Sequence, residues 1–144
     1  DYYKKILDKD IVYKEADLIS LHVPLTKMTK NMITSKELAL MKEKALLINT
    51  SRGGIINEKD LYNALSKGKL GGAAIDVFES EPYDGPLKEI DNCILTAHMG
   101  SMSIDCRTRM EIEATEETIR FAIGKDLLSE VPEEEYKIQE LGLN

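Results

Sequence analysis

The chain has 144 residues and a formal net charge of −7, so it is long enough for one domain with its own core. Hydrophobic residues make up 42% and charged residues 31%, a balance that indicates a soluble globular domain. The negative charge predicts no nucleic-acid partner and no anionic membrane surface as a partner, and no apolar run approaches the ~20 residues of a membrane span.

The cysteine pattern indicates a reducing environment. Cys93 and Cys106 are separated by 13 positions, the sequence has no CxxC, and it has only two histidines. We therefore expect neither a disulfide framework nor a metal site. The same pattern predicts a cytoplasmic location. The chain begins at Asp1 without an initiator Met or a signal-like start, so we expect a piece of a longer polypeptide.

Strand-like and helix-like segments alternate along the chain. The first half predicts a strand Tyr3–Leu7, a helix from an Asp8 cap to Glu15, a strand Asp17–Val23, a helix from a Thr34 or Ser35 cap to Met41, and a strand Lys44–Asn49. The second half predicts a helix Glu58–Ser66 capped by Asn57, a strand Leu70–Val77, a loop Glu79–Asp91, a strand Asn92–Thr96, and a helix from Ser103 to Ile123. The tail after Gly124 shows no clear core pattern.

This alternation predicts an α/β fold with a doubly wound parallel sheet. The strands are continuously apolar, which predicts burial on both faces of the sheet. Since the carboxyl ends of parallel strands share one edge, residues that follow the strands should meet there. Those residues are His22, Pro24 and Thr26 at or just beyond the end of the first main strand, Thr50, Ser51 and Arg52 after the second, Asp76 at the end of the third with Glu81 just beyond it, and His98 after the fourth.

Three of these residues have the chemistry to hold and protonate an anionic carbonyl compound. The planar Arg52 guanidinium fits a carboxylate with its adjacent carbonyl, although a solvent-facing Arg in a glycine turn is an equal alternative. A strand-end His98 can act as a general acid/base, although a structural histidine is the more ordinary interpretation. A Glu81 carboxylate beside that imidazole would favour imidazolium, with Glu79 as a competitor for the role.

The remaining residues suit a cofactor pocket. Asp76 could accept hydrogen bonds from an amide such as a nicotinamide carboxamide, or could cap the following loop. Pro24 and Thr26 could line the apolar and phosphate sides of such a pocket. For His22 we favour a binding role over a chemical one.

The order of these motifs resembles the D-isomer-specific 2-hydroxyacid dehydrogenase family. The matching segments are residues 16–26, 41–57, 74–82 and 96–101, within a match of roughly Asp8 to Lys125. The resemblance implies the second half of a Rossmann-type NAD-binding domain, followed by a long helix and a C-terminal tail. Residues 100–110 look most like the phosphoglycerate-dehydrogenase-like branch.

The resemblance also implies a role for each residue. Arg52 would bind the substrate carboxylate and carbonyl, His98 would be the acid/base, and Glu81 would be its carboxylate partner. Asp76 would hold the nicotinamide amide. The other implied cofactor residues are His22, Pro24, Thr26, Thr50, Ser51 and Gly100, together with Arg52 and His98.

The expected reaction interconverts a D-2-hydroxy acid and a 2-oxo acid by hydride transfer to and from NAD. In place of the Pro that usually precedes the family's His, this chain has Ala97, and Met99 follows the His. No GxGxxG is present in the chain, so we expect the pyrophosphate cradle upstream and expect the isolated 144 residues to be inactive.

The implied organisation is a partial NAD-binding domain at residues 1–124 and a segment at 125–144 that returns toward the substrate domain. A homodimer is implied for the full-length protein, with the Ser103–Ile123 helix as part of the contact. Two alternatives are an NAD-sensing corepressor of the same fold and a truncated, inactive remnant.

Overall fold

The computed structural model describes residues 5, 6, 8–133 and 137. The chain divides into two compact units between His98 and Met99. The boundary predicted after Gly124 separates the NAD-binding domain from a segment that returns toward the substrate domain. That boundary remains a prediction. None of the helices in the described residues is long and apolar enough to cross a membrane.

The first unit is built on a four-stranded parallel sheet. Its strands are β1 (Leu18–Leu21), β2 (Leu46–Asn49), β3 (Gly72–Ile75) and β4 (Cys93–Leu95). They lie side by side in the order β1-β2-β3-β4, and every neighbouring pair is parallel. The predicted α/β fold with a parallel sheet is therefore confirmed.

The helices begin where their cap residues predict. They are α1 (Lys9–Glu15), α2 (Ser35–Leu40), α3 (Glu58–Ser66) and, in the second unit, α4 (Ile104–Ala122). Each is preceded by a residue whose side-chain oxygen accepts a backbone N–H of the first turn; these residues are Asp8, Thr34, Asn57 and Ser103. Such caps satisfy donors that the helix itself leaves without partners.

One predicted loop contains a short helix, and one predicted strand lies largely outside the described residues. The predicted loop Glu79–Asp91 contains a 3₁₀ helix at Pro86–Glu89, with Pro86 in its first turn and Leu87 fully buried. The prediction missed this helix because a single turn is too short to show a hydrophobic period. The predicted strand Tyr3–Leu7 lies almost wholly outside the described residues.

The hydrophobic core of the first unit lies on one face of the sheet. It combines strand residues Ile19, Leu21, Leu47, Ala73 and Ile75 with helix residues Tyr13, Leu38, Leu61 and Leu65. The alternate strand residues face the other way, and Leu18, Leu46 and Ile94 are 53%, 45% and 67% exposed. The prediction that both faces are buried is therefore wrong for the described residues.

The strand order explains the bare face. Crossovers between parallel strands are almost always right-handed. Because β1, β2, β3 and β4 follow one another in a single direction across the sheet, right-handed crossovers place all the connecting helices on the same side. A doubly wound sheet covers its second face with helices from a half that runs in the opposite direction.

The second unit begins at Met99 and contains α4 and the segment that follows it. Gly124, with a φ of +69°, ends the helix in the left-handed conformation. Beyond it, the Glu117 carboxylate accepts the backbone N–H groups of Leu128 and Ser129 at 2.9 and 3.2 Å. In the described residues α4 buries no side chain, and Ile104, Ile112, Ile119 and Phe121 are all exposed.

Candidate active site

The strand register brings four of the polar segments to one edge. Leu21, Asn49, Ile75 and Leu95 are aligned across the sheet, and each is the last residue of its strand. The residues that follow are His22, Thr50, Asp76 and Thr96. The ladder continues past the strands, because the Asp76 N–H donates to the Asn49 carbonyl and the Thr96 N–H to the Ile75 carbonyl, both at 3.0 Å.

His98 and Glu81 form a hydrogen-bonded pair. The distance between His98 Nδ1 and Glu81 Oε2 is 2.9 Å, and the His98 side chain is 49% exposed. The second carboxylate oxygen, Oε1, accepts the Phe78 backbone N–H at 3.0 Å. The Phe78 N–H and the His98 ring hold the pKa of the Glu81 carboxyl below its usual range. Glu81 is therefore a fixed anion that can stabilise imidazolium at His98.

The backbone of His98 is also unusual. Its φ is +55°, in the left-handed region that residues other than glycine seldom adopt. The conformation is held by the His98 N–H, which donates to the Asp76 carbonyl at 2.8 Å. Such conformations persist where the surrounding structure enforces them, and they concentrate at functional sites. Here the result is an imidazole whose Nδ1 is directed at Glu81.

A cavity of about 580 Å³ lies against this pair. Glu81, Tyr83, Thr96 and His98 line it, as does Lys88, which is paired with Asp84. Its volume is in the range of small-molecule sites, roughly 300–1,000 Å³. The His98–Glu81 pair therefore faces a space large enough for a small substrate.

Arg52 lies on a turn that a buried amide organises. The Asn49 side chain is 2% exposed. Its Oδ1 accepts the Ser51 N–H at 3.1 Å and the Ser51 hydroxyl at 2.8 Å, and its Nδ2 donates to the Arg52 carbonyl at 3.0 Å. The Arg52 side chain is exposed, and its Nη1 donates to the Ser51 carbonyl at 2.7 Å.

A glycine contact joins the Arg52 turn to the loop that carries Glu81. A Cβ on Gly53 would lie 1.9 Å from the Phe78 carbonyl oxygen, so only glycine allows the two backbones to approach this closely. The Glu58 carboxylate at the start of α3 accepts the Glu79 N–H at 2.7 Å. Burial raises the pKa of Glu58. Arg52 and Glu81 are therefore held by loops in direct contact.

Asp76 lies between the Arg52 turn and His98. Its side chain is buried, and its Oδ1 accepts the Thr96 hydroxyl at 2.5 Å. A carboxylate accepts several hydrogen bonds, so it can bind further donors at this edge.

The first strand end is held mainly by its own contacts. His22 Nε2 lies 2.8 Å from the Ser20 hydroxyl. Thr26 is buried, and its hydroxyl accepts the Met28 N–H at 3.2 Å. The Pro24 carbonyl accepts the Thr29 hydroxyl at 2.6 Å. The cofactor roles predicted for His22, Pro24 and Thr26 remain predictions, as do those of Thr50 and Ser51.

Gly100 is the predicted site residue that falls in the second unit, where it is exposed. Its role also remains a prediction. Among the residues that the structure describes, no group of three or more His, Cys, Asp or Glu is placed to hold a metal ion.

Four residues that shape the site were not singled out from the sequence for this role. They are Asn49, Gly53, Glu58 and Thr96. An amide at the end of an apolar strand was a usable signal for Asn49, since a polar residue there needs partners once it is buried. The partners of Glu58 and Thr96 lie about 20 positions away in sequence, so local patterns could not reveal them.

A parallel sheet with polar residues gathered at the carboxyl edge of its strands defines a nucleotide-binding type of α/β domain. The model of the D-isomer specific 2-hydroxyacid dehydrogenase, NAD binding domain, matches residues 1–100. The chain belongs to this family. The predicted Rossmann-type fold and NAD as the cofactor are thereby confirmed.

Individual relatives agree. The chain is 44% identical to a glyoxylate reductase of Thermococcus litoralis over 135 residues, covering 88% of this chain and 41% of the relative. It is 53% identical to a D-3-phosphoglycerate dehydrogenase of Methanocaldococcus jannaschii over 89 residues, covering 61% of this chain and 17% of the relative. The structure of D-lactate dehydrogenase with NAD⁺ from Lactobacillus jensenii superposes with a TM-score of 0.78 at 33% identity, covering 87% of this chain and 42% of that chain.

The chain spans about two fifths or less of the length of these relatives.

Proposed function

We propose that this chain is part of an NAD-dependent oxidoreductase that interconverts a D-2-hydroxy acid and a 2-oxo acid. The observation that carries the proposal is the 2.9 Å pair of His98 and Glu81 beside a cavity of small-molecule size. The family match supports it, as do relatives named glyoxylate reductase and hydroxypyruvate reductase.

His98 is the proposed acid/base. In the oxidative direction its neutral ring accepts the proton of the substrate hydroxyl while hydride leaves the same carbon. The products are the 2-oxo acid, the reduced cofactor and imidazolium at His98. Glu81 stabilises that imidazolium and fixes the ring through Nδ1. When bound, NAD supplies the hydride acceptor.

Arg52 is the proposed substrate anchor. Its side chain is exposed on a rigid turn, and no ion pair of Arg52 occurs among the described residues. A guanidinium can bind a carboxylate and the adjacent carbonyl oxygen through parallel N–H donors. This contact would orient the reacting carbon toward the acid/base.

The residues present fit the nicotinamide end of the cofactor. Asp76 offers a buried carboxylate at the strand edge, which matches the N–H donors of a carboxamide. His22, Pro24, Thr26, Thr50, Ser51 and Gly100 are proposed as further cofactor contacts.

The assembly and location of the protein are also proposals. The exposed apolar residues of α4 support a homodimer in which this helix contributes to the contact. Cys93 and Cys106 are both free thiols, which supports a cytoplasmic location.

The test measures NADH oxidation by the full-length protein with glyoxylate and hydroxypyruvate, and NAD reduction with D-lactate and D-3-phosphoglycerate. We expect turnover of at least one of these acids. The variant His98→Gln should lower kcat by about 10²–10⁴-fold, the usual contribution of a general acid/base. His22→Gln is the matched control and should affect NADH affinity more than kcat.

Two outcomes would contradict the proposal. One is tight NADH binding without turnover of any 2-oxo acid, which would favour an NAD-sensing binding protein. The other is full kcat in the His98→Gln protein. Among active substrates, the ratio of kcat/KM values identifies the preferred acid.

A further inference from the structure

Thr96 is the residue through which β4 contacts Asp76. Its hydroxyl donates to Asp76 Oδ1 at 2.5 Å, across 20 positions of sequence. The carboxylate is buried, with Asp76 only 6% exposed. A buried carboxylate is costly unless donors satisfy it, and a hydroxyl bound to an anion is among the stronger donors.

The main chain around Asp76 is fixed from both sides. Its N–H donates to the Asn49 carbonyl at 3.0 Å, and its carbonyl accepts the His98 N–H at 2.8 Å. These bonds hold the Cα position, whereas the direction of the side chain depends on the donors that the carboxylate accepts. The Thr96 hydroxyl acts on the carboxylate itself, so it restricts the direction in which the oxygens point.

The Thr96 hydroxyl is itself well positioned. The Thr96 N–H donates to the Ile75 carbonyl at 3.0 Å, which continues the β3–β4 ladder beyond the last paired residue. Ile75 therefore holds the backbone of Thr96, whose hydroxyl in turn binds the Asp76 carboxylate. Thr96 also lines the cavity beside His98.

We propose that Thr96 is a positioning residue that orients the Asp76 carboxylate toward the carboxamide of the nicotinamide ring. The inference rests on the proposed function, because it assumes that Asp76 receives the carboxamide N–H donors. It adds that cofactor affinity depends on a hydroxyl that does not itself contact the cofactor.

The test compares NADH dissociation constants of the full-length protein and its variants by fluorescence titration. Thr96→Val removes the hydroxyl at nearly constant volume and should weaken NADH binding about tenfold, or ~1.4 kcal/mol. Thr96→Ser keeps the hydroxyl and should stay within about twofold of the parent. The control is Thr118→Val on α4, where the lost hydroxyl donates only to the Ala114 carbonyl of its own helix.

A second nucleotide separates orientation from general damage. An NADH analogue with an acetyl group in place of the carboxamide lacks the N–H donors that Asp76 would receive. Thr96→Val should therefore change the affinity for this analogue less than twofold. In an Asp76→Ala background, Thr96→Val should cost little further NADH affinity, because the two residues act as one unit.

The outcomes are distinguishable. Equal weakening of both nucleotides by Thr96→Val, or no weakening of either, overturns the inference while the proposed function stands. Failure of the parent protein to bind NADH overturns the proposed function and the inference with it. Thr96 is exposed as a residue, so the variant should fold, and a thermal melt beside the titration verifies this.

Discussion

At the scale of single residues, the buried amide of Asn49 determines how Arg52 is presented. An amide carries both an acceptor and donors, and here both ends are used within the next three residues. A carboxylate could not donate to the Arg52 carbonyl, and an aliphatic side chain could do neither. The position therefore requires an amide for geometric reasons that are independent of any contact with a ligand.

The first prediction concerns Asn49→Leu. The change leaves the Ser51 N–H and the Arg52 carbonyl without their partners, so we expect a loss of about 2–3 kcal/mol in the free energy of unfolding. Because the turn is no longer held, KM for the 2-oxo acid should rise about tenfold or more in the full-length protein. Urea unfolding and steady-state kinetics measure the two effects.

The control for this prediction is Asn92→Leu. Asn92 is an exposed amide at the opposite edge of the sheet, where its Nδ2 donates to the Gly71 carbonyl at 3.0 Å. Its loss should cost less than about 1 kcal/mol and leave KM unchanged. An Asn49→Leu protein with parental stability and KM would show that the turn keeps its shape without the amide.

At the scale of elements, the close contact between two loops matters more than any single helix. The turn after β2 packs its backbone at Gly53 against the backbone that follows β3 at Phe78. The first loop carries Arg52 and the second carries Glu81, whose carboxylate accepts the Phe78 N–H. A displacement of either loop would change the distance between the proposed substrate anchor and the proposed acid/base pair.

The second prediction is that Gly53→Ala is far more damaging than an ordinary glycine substitution. The new methyl group would overlap the Phe78 carbonyl, so the loops must separate, and we expect a loss of about 2–4 kcal/mol. Gly68→Ala is the control: it has open space around the new methyl, but its φ of +64° costs about 1 kcal/mol. Denaturant titration of both variants measures the free energy of unfolding. Equal losses in the two variants would contradict the close contact between Gly53 and Phe78.

Much of this element-level organisation follows from local sequence signals. The caps Asp8, Thr34, Asn57 and Ser103 predict where the helices begin because capping depends on neighbouring residues only. The carboxyl ends of β2 and β4 lie within one residue of their predicted positions. The predicted ends of β1 and β3, Val23 and Val77, are wrong by two residues, because the apolar runs continue past the last paired residues Leu21 and Ile75. The pairing of His98 with Glu81 was expected from the family resemblance, and the 2.9 Å contact agrees with it.

The contacts that sequence could not supply are those between backbones or across long separations. Nothing in the pattern around Gly53 indicates Phe78 as its neighbour, and nothing around Thr96 indicates Asp76. The positive φ of His98 also has no local signal, and the N–H bond that accompanies it reaches the Asp76 carbonyl on another strand end. These features depend on strand order and register, which a residue pattern constrains only loosely.

At the scale of the whole molecule, the first unit is a sheet with one covered face. Ile19, Leu47 and Ile75 pack into the core, whereas Leu18, Leu46 and Ile94 on the opposite face are exposed. Leu18 is aligned with Leu46 on the neighbouring strand, whereas Ile94 lies on β4 and is separated from Leu46 by β3, whose residues on this face are the small Gly72 and Ala74. We call this set, Leu18, Leu46 and Ile94, the open face.

The third prediction is that the 144-residue chain binds a hydrophobic dye and self-associates through its open face, because large apolar side chains exposed on one face of a sheet favour association. The double variant Leu46→Lys and Ile94→Glu should reduce dye fluorescence several-fold and shift sedimentation toward the monomer. Its unfolding midpoint should change little, since both side chains are already in solvent. The control is Leu47→Lys, one position along β2, where the residue is fully buried and the charge should unfold the unit. Unchanged dye binding in the double variant would show that another surface, such as the apolar residues of α4, is responsible.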